Sequence, residues 1–166
     1  IKLKGSANAP TLVSAFTKAL VEMGEAFVLR AHGLTDRSGV AGGIFPKAIG
    51  LRAQSELLER DAFLFHYRNR ISFEKFAELA HPFWPEENVL VFKLKSASEG
   101  FHCFLATDTK CANGRNQCLL LGLGAHTDIE TAKNKAIGEY ATMLMDHKQR
   151  PDWCKHLALD PALSTR

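Results

Sequence analysis

The sequence lacks any run of about 18 or more apolar residues, the length a bilayer-spanning helix requires, so a membrane span is excluded. It lacks a basic segment leading into a short apolar stretch at its start, the pattern of a secretory signal, and a cytoplasmic location is expected. It lacks a dense Lys/Arg block with interleaved aromatics: 21 Lys+Arg are interspersed with 18 Asp+Glu, for a formal net charge of +3. That balance gives no nucleic-acid surface and no membrane partner. Its four cysteines, Cys103, Cys111, Cys118 and Cys154, include no Cys-x-x-Cys pair. The spacing argues against a zinc ribbon, and buried, reduced thiols are expected. No low-complexity linker divides the 166 residues, 46% of which are hydrophobic. One core and one domain over residues 1–150 follow, with residues 151–166 as an irregular, proline-bearing tail.

What is present is patterned. Ile1 to Lys4 alternates like a short strand, and Pro10 suits a first helical turn. Leu12, Phe16, Ala19, Leu20, Met23 and Phe27 predict a helix from about Thr11 to Ala31, ended by Gly33. A second helix is predicted from about Phe45 to Tyr67. Its apolar positions are nearly continuous, which predicts a helix sandwiched between layers. Ser72 as an N-cap and the Phe73–Ala80 segment predict a third, short helix. The period then changes to two, giving strands over 89–95, 101–106 and 117–122, the last two flanking Asn113-Gly114, a strong hairpin dipeptide. Gly122-Leu123-Gly124-Ala125-His126 is predicted as a turn into a final helix from Asp128 to about His147. Thr127 and Glu130 form its expected capping box, and Ile129, Ala132, Ala136, Ile137, Tyr140 and Leu144 its core stripe. The class predicted is α+β, with long helices packed on a small, mostly antiparallel sheet.

Acidic pairs recur on these helices. Glu56 and Glu59 stand three apart, so they project from one helix face and can grip a shared ligand; Glu22 and Glu25 repeat the spacing, with Lys18 a turn earlier. Such pairs are also ordinary on solvated helices, and that reading stands beside the first. The loop Thr35–Gly43 carries three glycines whose backbone N–H groups can cradle phosphate before a helix, although a plain turn has the same composition.

Together these segments resemble the YcaO superfamily. Ser38-Gly39-Val40-Ala41-Gly42-Gly43, then Ala48, then Ser55-Glu56-Leu57-Leu58-Glu59-Arg60-Asp61-Ala62-Phe63 is similar to its glycine turn and Glu-x-x-Glu-Arg-Asp-Ala-Phe helix. The segment Lys18–Glu25 resembles the family's earlier acidic helix, and Gly122–Asp128 through Glu139 its closing one. The resemblance implies a YcaO-like fold whose three acidic helices converge on one side of the sheet around a nucleotide. It implies Lys18, Glu22, Glu25, Ser38, Glu56, Glu59, Arg60 and Glu139 as cofactor-binding residues, with Glu22, Glu25, Glu56 and Glu59 holding Mg2+ against the phosphates of ATP. Family members use ATP to activate a peptide amide: a nucleophile adds to the carbonyl, and its oxygen is phosphorylated and leaves. Phosphoryl transfer rests on positioning and charge neutralisation, so no Ser/His/Asp constellation is expected, and no catalytic residue is assigned.

The chain also departs from the family pattern. Gly5-Ser6-Ala7 stands where Gly-Lys-Gly is common, Ala26 follows Glu25 in place of Arg, and Thr142 and Leu144 replace a Gln and an Arg. Two readings therefore stay open. One is an ATP- and Mg2+-dependent amide-activating domain acting on a peptide or with a partner protein; the other is a catalytically reduced YcaO-like module that binds a ligand or partner without turning ATP over. In either case the apolar helices imply contact with a second subunit.

Overall fold

The computed structural model describes residues 11–33, 41–42, 46–80, 88–108 and 120–149. Its elements are α1 (Leu12–Ala31), α2 (Pro46–Asn69), β1 (Glu74–Ala80), β2 (Asn88–Leu94), β3 (His102–Asp108), β4 (Leu121–His126) and α3 (Ile129–Gln149). The expected strand at residues 1–4, the Asn113-Gly114 turn and the tail at 151–166 lie outside the described residues. No described helix is long and apolar enough to cross a membrane.

The four strands form an antiparallel sheet in sequence order, with β1 and β4 at its edges. Alternation sends one set of side chains to each face. Val89, Val91, Phe104 and Ala106 pack with Ala132, Ala136, Tyr140 and Leu144 of α3. Leu94, Cys103, Leu105 and Ala125 pack with Ala62 and Leu58 of α2 on the other face. The α+β class is thus observed, with one helix against each face of the sheet. The α3 stripe expected from its spacing is the buried one, with Ile129 and Ile137 partly buried beside it. Cys103 is buried and unbridged.

Several expectations are corrected. Phe73–Ala80 is not a helix: Glu74–Ala80 is strand β1, paired with β2 from Glu74 opposite Lys93 to Ala80 opposite Asn88. Glu, Lys, Leu and Ala favour a helix locally, but pairing of six of the strand's residues with β2 outweighs that propensity. A register shift between Lys75 and Ala77 places Phe76 against Phe104 (ring centroids 5.0 Å apart) and Ala77 against the same α3-side cluster. The predicted turn at Gly122–His126 is also strand, within β4 (Leu121–His126); residues 117–119 of the strand predicted over 117–122 lie outside the described residues. Gly122 and Gly124 both face α3, where an added Cβ would lie 2.2 Å from the Ala136 carbonyl oxygen and 2.3 Å from that of Ala132, respectively. These glycines admit a helix to the backbone of the strand. The cap of α3 is Asp128, whose Oδ1 accepts from Thr131 N at 2.8 Å, in place of the Thr127/Glu130 box.

Helix α1 opens on a reciprocal box between Thr11 and Ser14 and closes at Gly33, φ +68°. Helix α2 ends with Ile71 N donating to His66 O at 3.0 Å and Arg70 at φ +53°. Contrary to the sandwiched helix expected, α2 buries Ser55, Glu59, Ala62 and His66 and leaves Leu51, Leu57, Leu64 and Tyr67 exposed. Its mostly polar stripe faces the protein. That inversion sets buried polar groups beside the edge of the sheet.

Candidate functional site

Among the described residues β4 is an edge strand, and its Leu123 and Ala125 N–H groups point away from β3. Carboxylates from the helices on opposite faces meet them there. Glu59 Oε2 of α2 accepts from Ala125 N at 3.1 Å, and Glu139 Oε2 of α3 accepts from Leu123 N at 2.6 Å. An edge that could pair with another chain is thereby closed by two acidic side chains.

Above this edge lies a cavity of about 680 Å3. Helix α1 contributes Lys18, Glu22 and Glu25; α2 contributes Arg52, Ser55, Glu56, Glu59 and Arg60; β4 and α3 contribute His126, Lys135 and Glu139. Seven of the eight residues implied by the sequence therefore line one cavity, at the free edge of β4 between the helices. Ser38 lies outside the described residues.

Three of the acidic groups there face the chain's own cations. Lys135 Nζ donates to Glu59 Oε2 at 2.8 Å, Arg60 Nη2 to Glu56 Oε1 at 3.0 Å, and Arg52 Nη2 stands 3.8 Å from Glu25 Oε1. Glu25 also accepts from Gly42 N, and Arg52 Nη1 donates to Gly42 O at 2.6 Å, which fastens the segment before α2 to both helices. Glu22 is half-buried and has interactions of its own.

At Glu59 and Glu56 burial outweighs this pairing. Burial pushes Glu59 up to about 7, with repulsion from Glu139 and Glu56 adding to it and Lys135 only partly offsetting it. Burial likewise raises Glu56 against the opposing pull of Arg60. Desolvation wins because the two lie on the inward stripe of α2. Ser55 is buried on the same stripe, and His126 Nδ1 accepts from Asp128 N at 2.9 Å, so the neutral ring carries its proton on Nε2.

Among the described residues no group of three or more His, Cys, Asp or Glu side chains is close enough to hold a metal ion, so Glu22, Glu25, Glu56 and Glu59 do not form a ready-made cage. The donor set nonetheless suits Mg2+, which takes hard oxygen ligands and is commonly held by one or two carboxylates together with phosphate oxygens and water. The surrounding Lys and Arg side chains suit the phosphates.

The sequence did not single out Lys135. Its main partner is 76 residues away in sequence. The available signal was its position four residues before Glu139, on the same helix face.

Residues 34–164 match the family model described as YcaO cyclodehydratase, ATP- and Mg2+-binding. The chain belongs to the YcaO family. The match begins after α1, so the assignment of Lys18, Glu22 and Glu25 rests on the cavity and the motif resemblance. In fold, the chain is similar to the structure of YcaO from Methanopyrus kandleri bound with AMPPCP and Mg2+, with a TM-score of 0.58 and 20% identity. The likeness covers 70% of this chain and 33% of that one, so the chain corresponds to about a third of that YcaO protein's length. Among curated proteins, none matches.

Proposed function

We propose that this YcaO-family domain binds Mg-ATP in the cavity at the free edge of β4 and uses it to activate a peptide amide. The observation that carries this reading is the convergence of α1, α2 and α3 on one polar cavity holding five Glu and four Lys or Arg side chains. A solvated acidic helix face would not need to bury Glu59 or draw Lys135 to it from another helix.

In this reading Glu22, Glu25, Glu56 and Glu59 supply oxygens for Mg2+, and Lys18, Arg52, Arg60 and Lys135 meet phosphate charge. Bound ATP supplies the phosphoryl group for an amide oxygen. The chain's own contribution is to orient the phosphates and neutralise charge in the transferring group. Glu139 and Glu59, by holding Leu123 N and Ala125 N, keep the floor of the cavity in register. The substrate class proposed is a ribosomal peptide or protein.

Thermal melting tests the nucleotide step. Mg2+ and ATP together are expected to raise the melting temperature in proportion to occupancy, with little effect of either alone. Glu56→Gln combined with Glu59→Gln is expected to abolish that rise in a protein that still folds. An unchanged melting curve at saturating Mg-ATP overturns the reading. The second reading, a domain that binds without turnover, is favoured by Thr142 and Leu144 standing where the family pattern has Gln and Arg; a melting shift without ATP hydrolysis in the presence of peptide would select it.

A further inference from the structure

Two ion pairs in the cavity join groups with opposite tasks in the nucleotide reading. Glu59 and Glu56 are placed to give oxygens to Mg2+, whereas Lys135 and Arg60 are placed to meet phosphate. In this structure they hold each other: Lys135 Nζ lies 2.8 Å from Glu59 Oε2, and Arg60 Nη2 lies 3.0 Å from Glu56 Oε1. The two members of each pair are not equally fixed. The carboxylate side chains are 7% and 23% exposed, and Glu59 also accepts from Ala125 N at 3.1 Å, whereas the cations are 43% and 49% exposed. Lys135 and Arg60 carry their charges on long stems, so a change of rotamer turns them towards solvent while both backbones stay in place. Arg52 differs, because it also donates to Gly42 O at 2.6 Å and so remains beside Glu25.

Either ligand entering alone meets a cost. Mg2+ alone must take Glu59 and Glu56 from their cations, which leaves Lys135 and Arg60 unpaired beside a divalent ion. Phosphate alone must draw the cations away, which leaves the buried Glu59 carboxylate facing an anion. When both enter, each half of each broken pair gains a new partner of opposite sign, and no charge is stranded. Among the described residues no three His, Cys, Asp or Glu side chains hold an ion by themselves, so phosphate oxygens are needed to complete its shell.

We propose that the Lys135–Glu59 and Arg60–Glu56 pairs are an internal lock on the cavity, which opens by exchange of partners only when Mg2+ and a triphosphate arrive together. The lock rests on the nucleotide reading and concerns how the same site is kept closed to either ligand alone. Its two halves are linked: removing a cation frees a carboxylate for Mg2+, and removing a carboxylate frees a cation for phosphate.

Calorimetry of the full chain at pH 8 tests this with two probes, Mg2+ alone and tripolyphosphate alone in the presence of a chelator. Wild-type protein is expected to bind each weakly. Lys135→Met is expected to bind Mg2+ alone roughly tenfold more tightly than wild type, and Glu59→Gln to bind metal-free tripolyphosphate roughly tenfold more tightly, while both lose affinity for Mg-ATP. Arg60→Met and Glu56→Gln, on the more exposed pair, are expected to move in the same directions by less. Circular dichroism checks folding, and if Lys135→Met unfolds, the Arg60→Met and Glu56→Gln variants decide by the same criterion. A wild-type melting temperature that rises with Mg-ATP, in a protein whose variants gain neither probe, overturns the lock and leaves the nucleotide reading standing. A gain in one half of a pair without the other overturns it as well, as does tight binding of either probe by wild type. Wild-type protein with no melting shift in Mg-ATP overturns the nucleotide reading, and the lock with it.

Discussion

Lys135 Nζ lies 2.8 Å from Glu59 Oε2, joining α3 to α2 across the edge of β4, and the same oxygen accepts the Ala125 N–H. One carboxylate thereby ties the helices from both faces to the strand between them. Glu59 is buried while Lys135 is 43% exposed, so solvent screens part of the attraction. Lys135→Met is expected to cost about 1–2 kcal/mol at pH 8 by leaving a buried carboxylate without its cation. Lys135→Met with Glu59→Gln is expected to recover much of that loss. Urea unfolding of the two variants checks both.

The pH dependence has a definite sign. Glu59 titrates near 7 in the folded protein against an ordinary 4.5. Below pH 4.5 both folded and unfolded chains hold the proton; between 4.5 and 7 the folded chain holds more, so this group's contribution to stability is lost as pH rises through the window. The loss expected is on the order of 2–3 kcal/mol. Glu56, raised in the same direction, adds to it. Glu59→Gln is expected to flatten the profile, as chemical denaturation at pH 4.5, 6 and 8 would reveal. A variant with the wild-type slope would place the titration elsewhere.

How much of this was legible in the sequence depended on whether local pattern and long-range packing agreed. The stripe Ala132, Ala136, Tyr140 and Leu144 and the alternation of Val89 and Val91 were legible because period alone fixes which side is buried. Strand β1 was not, because Glu74–Ala80 has helix-forming composition and becomes a strand only by pairing with β2. Gly122 and Gly124 have two meanings, turn or close approach, and only α3 decides between them. Glu56 and Glu59 were visible by spacing, but the direction they faced was not. Nearly continuous apolar positions predicted α2 to be covered all round, whereas Leu57 and Leu64 are exposed and Ser55, Glu59 and His66 are buried.

The close approach at β4 is testable by a single methyl group. At Gly122 a Cβ would lie 2.2 Å from Ala136 O and 2.3 Å from Tyr140 N, both backbone atoms that cannot swing aside. Gly122→Ala is expected to cost about 3 kcal/mol or more, at or beyond the upper end of ordinary overpacking. Gly50→Ala, on the exposed side of α2 with open space around it, is expected to be neutral or stabilising. Thermal unfolding of the two variants separates the packing effect from helix propensity.

Arg70 ends α2 in the left-handed region at φ +53°, a conformation that glycine adopts without the steric cost of a Cβ. Arg70 is exposed, and its backbone N donates to Tyr67 O at 3.3 Å, a bond that glycine preserves. Arg70→Gly is expected to stabilise the protein by about 0.5–1 kcal/mol, the relief at the turn exceeding the added freedom of the unfolded chain. A denaturation midpoint that fell in the variant would mean that the Arg70 side chain contributes more than its backbone conformation costs.

Helix α1 depends on few contacts. Among its described side chains Ala26 and Leu29 are the buried apolar ones, and Glu25 fastens it by accepting Gly42 N and standing beside Arg52. Arg52 itself donates to Gly42 O, so three groups from α1, the segment before α2 and α2 itself form one clasp. Glu25→Ala removes the shared acceptor and is expected to speed amide exchange along α1 while leaving α2 and α3 unchanged, since local opening follows local contact density. Glu25→Gln keeps an oxygen for Gly42 N but loses the charge that faces Arg52, so an intermediate effect is expected. Exchange measured by mass spectrometry without nucleotide isolates this clasp from any effect of binding. Wild-type exchange over residues 18–31 in Glu25→Ala would show that Ala26 and Leu29 alone hold the helix in place, and that the clasp serves only to position Gly42.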